Sequence, residues 1–137
     1  MIFMLNKIDH IGIAVRSVRE VKDLFKSLFN LNPDFEDDVD DQKIKVIGFK
    51  VGESNLEFIE PLNDQSPISN FLKKRGEGLH HIAISVDNIE NILGEFKTHQ
   101  LKLIDEKPRT GAEGKKIAFV HPNSFNGILL ELTQELK

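Results

Sequence analysis

Apolar and polar residues alternate in two similar stretches of the chain. Residues 8–15 read Ile-Asp-His-Ile-Gly-Ile-Ala-Val, and residues 79–86 read Leu-His-His-Ile-Ala-Ile-Ser-Val. An alternation of period two predicts a β-strand in each stretch. A capping box begins directly after each strand, at Ser17 and at Asp87, and predicts the start of an amphipathic helix. The apolar stripes of these helices are Val18, Val21, Leu24, Phe25 and Leu28 in the first and Ile89, Ile92, Leu93 and Phe96 in the second.

The chain is an internal duplication, because strand-like stretches follow each predicted helix. Ser66-Pro67 begins a short helix, 66–75, between the halves, and glycines end it. Both halves are interpreted as βαβββ, which predicts an α+β fold and one domain of two modules, about 1–63 and 77–137. The further strands are predicted over 44–51 and 56–62 in the first half and over 101–105, 116–120 and 127–134 in the second.

The two repeated strands have a bulky face and a face with small residues beside a histidine. Large aliphatic side chains point towards the helix in both copies. The opposite face, which carries His10 in one copy and His81 in the other, is predicted to line a cavity where chemistry could take place. The small residues on that face are Gly12, Ala14, Ala83 and Ser85.

Two histidines and two glutamates occupy matching positions in the repeat. Glu57 follows His10 by 47 residues, and Glu131 follows His81 by 50 residues. Each glutamate interrupts an apolar strand, which is unfavourable unless the carboxylate is paired or binds a metal. We therefore predict one divalent metal site of the borderline-to-hard type (Co, Mn, Ni, Fe or Zn) made by His10, Glu57, His81 and Glu131. The alternative for any one of them alone is an ordinary strand residue with a local partner.

Composition excludes several classes of function. Lys and Arg total 18 against 22 Asp and Glu, a net charge of −4, which argues against nucleic-acid and membrane partners. Cysteine and tyrosine are absent, so thiol chemistry and a tyrosine acid or base are excluded. The apolar residues 1–5 are too few for a signal or membrane segment, and we expect a cytoplasmic protein.

The remaining polar features have simpler interpretations. The acidic stretch 34–41 is predicted to be a solvated connector. His80 is expected to face the helix in a supporting role, His99 to end a helix in solvent, and His121 to serve a turn. The glycine-containing loop 109–116 is either a polar hairpin turn or a mobile loop beside the site whose N–H groups and cations hold substrate carboxylate or phosphates.

At these residues the chain resembles the methylmalonyl-CoA epimerase family of the vicinal oxygen chelate (glyoxalase-like) superfamily. The likeness runs nearly end to end, and its most specific parts are Gly78-Leu79-His80-His81-Ile82-Ala83 and Glu60-Pro61 followed by Ser66-Pro67-Ile68. The other matching segments are residues 8–15, 57–62 and 127–132.

The resemblance implies a cupped, barrel-like mixed sheet around one divalent ion, commonly in a homodimer. It implies metal ligation by His10, Glu57, His81 and Glu131 and interconversion of the (2R) and (2S) epimers of methylmalonyl-CoA, a step of propionate metabolism. Glu131 is the first candidate for proton transfer at C2, and Glu57 or a metal-bound water is the candidate for the second acid–base group. Some relatives carry another glutamate near Val46, where this chain has none.

Two rival functions share this fold. A glyoxalase I-like lactoylglutathione lyase has the same ligand pattern and related chemistry, but the family-specific segments favour the epimerase. A non-catalytic ligand-binding protein of this superfamily needs no complete metal set, so the four candidate ligands disfavour it.

Overall fold

The computed structural model describes residues 5–135. Residues 1–4, which carry most of the apolar N-terminal stretch, and residues 136–137 lie outside the described part. In chain order the strands and helices are β1 Leu5–Ala14, α1 Val18–Phe29, β2 Phe35–Val39, β3 Ile44–Val51, β4 Ser54–Pro61, α2 Pro67–Arg75, β5 Gly78–Val86, α3 Ile89–Thr98, β6 Arg109–Thr110, β7 Lys116–Val120 and β8 Leu130–Gln134. Each half of the chain thus has the predicted βαβββ order, and the α+β class is confirmed.

The chain forms two compact units, and the boundary falls inside strand β1. Residues up to His10 and from His81 onward belong to the first unit, and Ile11–His80 form the second. In the first unit the strands are adjacent in the order β1, β5, β8, β7, β6, with β5 and β8 parallel and β7 antiparallel to both β8 and β6. In the second unit β3 lies between β2 and β4, antiparallel to both, and β4 adjoins the end of β1.

The core of each unit lies between its helix and one face of its strands. In the first unit Ile89, Ile92 and Leu93 of α3 pack on strand residues that include Leu130 and Leu132. In the second unit the α1 stripe packs on β3 and β4, and Phe25 stacks on Phe49 with ring centres 4.0 Å apart. Six residues of the repeated strands were predicted to face the helices, and four of them, Ile13, Val15, Ile84 and Val86, contact these cores; Ile11 and Ile82 are not among the core residues. Two predicted members of the α1 stripe, Leu24 and Leu28, are exposed instead.

Helix α1 begins as predicted, and helix α3 begins one residue later than predicted. The Ser17 side chain accepts a hydrogen bond from the Glu20 N–H at 3.2 Å. At α3 the capping residue is Asn88, whose side chain accepts from the Asn91 N–H at 3.0 Å. Asp87 instead accepts a hydrogen bond from the side chain of Asn6 on β1 at 2.9 Å, so its carboxylate binds this strand and does not cap α3.

A strand residue also caps each of these helices from outside. The Val18 N–H of α1 donates to Glu60 on β4 at 2.9 Å, and the Ile89 N–H of α3 donates to Gln134 on β8 at 2.8 Å. These caps follow Glu57 and Glu131 by three residues, so they lie on the opposite face of the strand. In each half the last strand therefore contributes one residue that caps the helix and, on its opposite face, one predicted site residue.

The acidic stretch 34–41 is not a simple connector, and this prediction was wrong. Residues Phe35–Val39 form the edge strand β2, paired antiparallel with β3. Glu36 points to the helix side and binds Lys22 of α1 at 3.1 Å. Phe35 and Val39 alternate onto the other face, and charges along an edge strand discourage further pairing with another chain.

Two strand predictions in the second half also need correction. Residues 101–105 form only an isolated bridge, Leu103 with Val120, because the Ile104 and Asp105 N–H groups converge on one carbonyl, that of Phe119. The short strand β6 lies instead within the predicted loop 109–116. Strand β8 begins at Leu130, after a turn in which Gly127 has a φ of 83°. Among residues 5–135, no helix is long and apolar enough to cross a membrane.

Candidate metal centre

Three of the four predicted site residues meet in the first unit. His10 lies on β1, His81 on β5 and Glu131 on β8, and the side chain of each is at least nine-tenths buried. Strand alternation explains their meeting, since Leu130 and Leu132 face α3 and Glu131 must therefore face away from it. Glu131 is opposite Ala83 in the parallel register, and His81 lies two residues before Ala83, so both side chains share one face.

The donor atoms of these three residues converge on one point. The two histidine Nε2 atoms are 3.0 Å apart, and Glu131 Oε1 lies 3.1 Å from Nε2 of His81 and 3.5 Å from Nε2 of His10. Neighbouring ligands about 2.1 Å from one ion are about 3.0 Å apart at right angles and about 3.4 Å apart in a tetrahedron. The three separations and the two-imidazole, one-carboxylate donor set therefore fit a single divalent ion.

Glu57 lies on strand β4 in the second unit and is buried, as are the adjacent Phe58 and Ile59. Its carboxylate is on the face away from α1, because the adjacent Phe58 packs in the α1 core. Directly opposite on β3 is Gly48, and Val46 is two residues away on the same face. Val46 is buried, so the strand next to Glu57 presents an apolar side chain on this face.

Sequence reasoning missed a fifth functional candidate, Asp9. Its carboxylate is 2% exposed, and its Oδ2 accepts a hydrogen bond from His10 Nδ1 at 2.8 Å. A neutral imidazole that donates through Nδ1 presents a lone pair at Nε2, which is the form that binds a metal. An acid beside a histidine in an otherwise apolar strand was the available signal.

Asp9 and Glu131 are both held in the ionised form. Burial raises the pKa of Asp9, but the hydrogen bond from His10 and the positive charge of Lys115 outweigh burial and lower it. Burial likewise opposes ionisation of Glu131, yet the imidazoles of His10 and His81, when protonated, attract its carboxylate and donate hydrogen bonds to it, which keeps the Glu131 pKa below its ordinary value. The same Nε2 atoms present lone pairs when the imidazoles are neutral. An ionised, buried carboxylate is suited to binding a cation.

The other histidines lie where the sequence suggested. His80 packs edge-on against Phe71 of α2, with ring centres 4.9 Å apart. His99 ends α3, is mostly exposed and contacts Glu95 at 3.0 Å. His121 caps a single 3-10 turn, where its Nδ1 accepts from the Asn123 N–H at 3.0 Å.

Two cations of the loop 109–116, Arg109 and Lys115, contact residues beside the predicted ligands, whereas Lys116 pairs with Glu90 of α3. Arg109 lies over the Phe119 ring, with its guanidinium carbon 5.4 Å from the ring centre, and Phe119 meets His81 edge-on at 5.9 Å. Lys115 Nζ lies 3.4 Å from Asp9 Oδ1. The charge of Asp9 raises the pKa of Lys115, although burial alone would lower it.

Comparisons with known proteins agree with this geometry. The model of the Glyoxalase/Bleomycin resistance protein/Dioxygenase superfamily matches residues 9–119. The chain is 42% identical to an uncharacterised Bacillus subtilis protein, covering 95% of this chain and 93% of that protein. It is 37% identical to the mitochondrial methylmalonyl-CoA epimerase of Dictyostelium discoideum, covering 96% of this chain and 80% of the relative.

A solved structure extends the likeness to the fold. A variant of the Streptomyces coelicolor methylmalonyl-CoA epimerase in complex with 2-nitronate-propionyl-CoA superposes with a TM-score of 0.91 at 27% identity. The superposition covers 96% of each chain, so the predicted glyoxalase-type fold is confirmed. The chain therefore belongs to the Glyoxalase/Bleomycin resistance protein/Dioxygenase superfamily and, within it, to the methylmalonyl-CoA epimerase family.

Proposed function

We propose that this protein is a divalent-metal-dependent epimerase that interconverts (2R)- and (2S)-methylmalonyl-CoA. The observation that carries the proposal is the buried convergence of His10, His81 and Glu131 in a chain whose relatives include named methylmalonyl-CoA epimerases. Such a convergence is the expected ligand arrangement for a metal-assisted proton transfer.

The proposed ligands are His10, His81 and Glu131, with Glu57 as the fourth. When bound, the ion supplies Lewis-acid stabilisation of the negative charge that develops on the substrate as its C2 proton is removed. The chain itself keeps each donor in the form that binds a metal. Asp9 accepts from Nδ1 of His10, which leaves the lone pair on Nε2, and the lowered pKa of Glu131 keeps that side chain a carboxylate.

Epimerisation requires that a proton leave one face of C2 and return to the other, so two acid–base groups must flank this carbon. We assign these roles to Glu131 and Glu57, as the sequence suggested. Strand β3 contributes no carboxylate of its own, since its residues are Ile-Lys-Val-Ile-Gly-Phe-Lys-Val.

The decisive experiment follows exchange of the methylmalonyl-CoA C2 proton for solvent deuterium by NMR, using purified protein loaded with Co²⁺. Exchange well above that of Co²⁺ alone is expected. A protein that holds Co²⁺ and shows only the background rate would refute the epimerase assignment. Turnover of the glutathione–methylglyoxal hemithioacetal in the same preparation would instead identify a lactoylglutathione lyase.

Glu57 and Glu60 provide a matched pair for the ligand assignment, because they lie three residues apart on one strand and face opposite sides. Glu57→Gln should lower both the metal content and the exchange rate. Glu60→Gln should leave both unchanged, because Glu60 caps α1. Metal content is measured by plasma emission; equal stoichiometry in both variants and in His81→Ala would contradict the proposed ligand set.

The proposal extends to the assembly and the setting of the enzyme. A homodimer is expected in solution, and light scattering coupled to gel filtration measures the molar mass directly. A cytoplasmic role in propionate metabolism predicts that the two epimers of methylmalonyl-CoA are kept near their equilibrium ratio when propionate is the carbon source. Loss of the protein should move the cellular ratio of (2S)- to (2R)-methylmalonyl-CoA away from that value.

A further inference from the structure

A buried chain of three polar side chains leads from the loop 109–116 to the candidate metal centre. Lys115 Nζ lies 3.4 Å from Asp9 Oδ1, and Asp9 Oδ2 accepts from His10 Nδ1 at 2.8 Å. The opposite ring nitrogen of His10 is the one that faces His81 and Glu131. The two oxygens of one carboxylate therefore connect a loop cation to a candidate metal ligand.

The loop places the lysine in a defined position. The Gly111 N–H donates to the Lys115 carbonyl at 2.8 Å, and the Gly114 N–H donates to the Gly111 carbonyl at 3.2 Å. A β-carbon on Gly111 would lie 2.8 Å from the Ile117 side chain, so the turn is closed against β7. The Lys115 side chain is only 19% exposed, which is uncommon for lysine unless it is paired.

We infer that Lys115 is a positioning residue for the metal centre and acts through Asp9 on His10. Contact with the ammonium group holds the Asp9 carboxylate in the orientation that accepts from His10 Nδ1. That hydrogen bond directs Nε2 of His10 towards the point shared by His81 and Glu131. The inference rests on the proposed metal role of these residues and assigns Lys115 to the support of a ligand.

Lys116 provides a matched control. It is the next residue in the chain and also forms an ion pair, with its Nζ 3.0 Å from Glu90 Oε1 on α3. This pair is on the side of the strands that carries the helix. Lys115→Met and Lys116→Met each remove one positive charge. Lys116→Met removes the pair with Glu90, whereas Lys115→Met removes the contact with Asp9 and a longer pair, 4.0 Å, with the exposed Glu135.

The experiment measures Co²⁺ affinity of the full chain by competition with a chromophoric chelator, together with the visible absorption spectrum of bound Co²⁺. Loss of a group that supports a ligand typically lowers metal affinity about 10- to 100-fold. Lys115→Met is expected to weaken Co²⁺ binding about tenfold and to alter the spectrum, whereas Lys116→Met leaves both unchanged. Lys115→Arg, which keeps the charge, should restore most of the affinity.

A double-mutant cycle tests whether Lys115 acts through Asp9. Asp9→Asn alone should weaken binding at least as much as Lys115→Met, and the combined variant should bind no more weakly than Asp9→Asn alone. Fully additive losses would overturn the inference, as would wild-type affinity in Lys115→Met. Thermal unfolding of the metal-free variants checks that they fold; if Lys115→Met does not, Lys115→Gln replaces it.

The outcomes separate this inference from the proposed function. A wild-type protein that binds no Co²⁺ would overturn both. Tight Co²⁺ binding with the expected effect of Lys115→Met, but no deuterium exchange on methylmalonyl-CoA, would refute only the substrate assignment.

Discussion

Replacing Glu60 with alanine should destabilise the protein, because Glu60 closes the N-terminus of helix α1 from strand β4. Its Oε1 accepts the Val18 N–H at 2.9 Å, and Val18 is only 5% exposed. Water therefore has little access to the N–H group once the carboxylate is removed. Ser17 does not replace it, since its side chain accepts from the Glu20 N–H.

The expected magnitude has two parts. An unsatisfied buried donor costs about 1–3 kcal/mol, and loss of a negative charge at a helix N-terminus costs about 0.3–1 kcal/mol. Glu60→Ala should lose both contributions, about 1.3–4 kcal/mol in the free energy of unfolding. Glu60→Gln keeps an acceptor oxygen and should lose only the charge contribution, about 0.3–1 kcal/mol.

Urea unfolding followed by far-ultraviolet circular dichroism measures these differences. The equivalent cap in the other unit is neutral, since Gln134 accepts from the Ile89 N–H at 2.8 Å, so Gln134→Ala should lose about 1–3 kcal/mol. Asp64→Ala, at an exposed position, should change stability by less than about 0.5 kcal/mol. Wild-type stability in Glu60→Ala, or equal losses in Glu60→Ala and Glu60→Gln, would refute the reasoning from the hydrogen bond.

Three further predictions concern the core, two glycines and the metal. Leu93→Ala should lower the free energy of unfolding by about 2–5 kcal/mol in urea, because Leu93 is 1% exposed in the α3 core. Gly48→Ala should cost about 1–3 kcal/mol because a β-carbon would overlap the Phe35 ring. Gly94→Ala, in helix α3 with no atom within 4 Å of an added β-carbon, should gain about 1 kcal/mol in the same assay. Co²⁺ at a hundred times its dissociation constant should stabilise the wild type by about 2.7 kcal/mol in thermal unfolding. A chelator should remove that gain, and His81→Ala should not show it at the same Co²⁺ concentration.

Most secondary structure followed from local patterns. Strand β3 and strand β7 have the predicted bounds, and helices α1 and α2 begin as their capping residues indicate. Strand β2 was missed because three consecutive acidic residues, Glu36–Asp38, separate its two apolar residues, Phe35 and Val39, and break the alternation. Residues 101–105 were predicted as a strand from local residue preferences. In the structure the Ile104 and Asp105 N–H groups both donate to the Phe119 carbonyl, a tertiary contact that local preferences do not include.

The amino-acid sequence alone determined the duplication and the face on which each histidine and glutamate lies, because period-two alternation is a local property of the backbone. It therefore located His10, His81 and Glu131 without coordinates. Only the tertiary structure decided how close their donor atoms come and that Asp9 contacts both His10 and Lys115. Asp9 and Lys115 are 106 residues apart, and no local pattern encodes a contact that depends on strand order and on the closure of a loop.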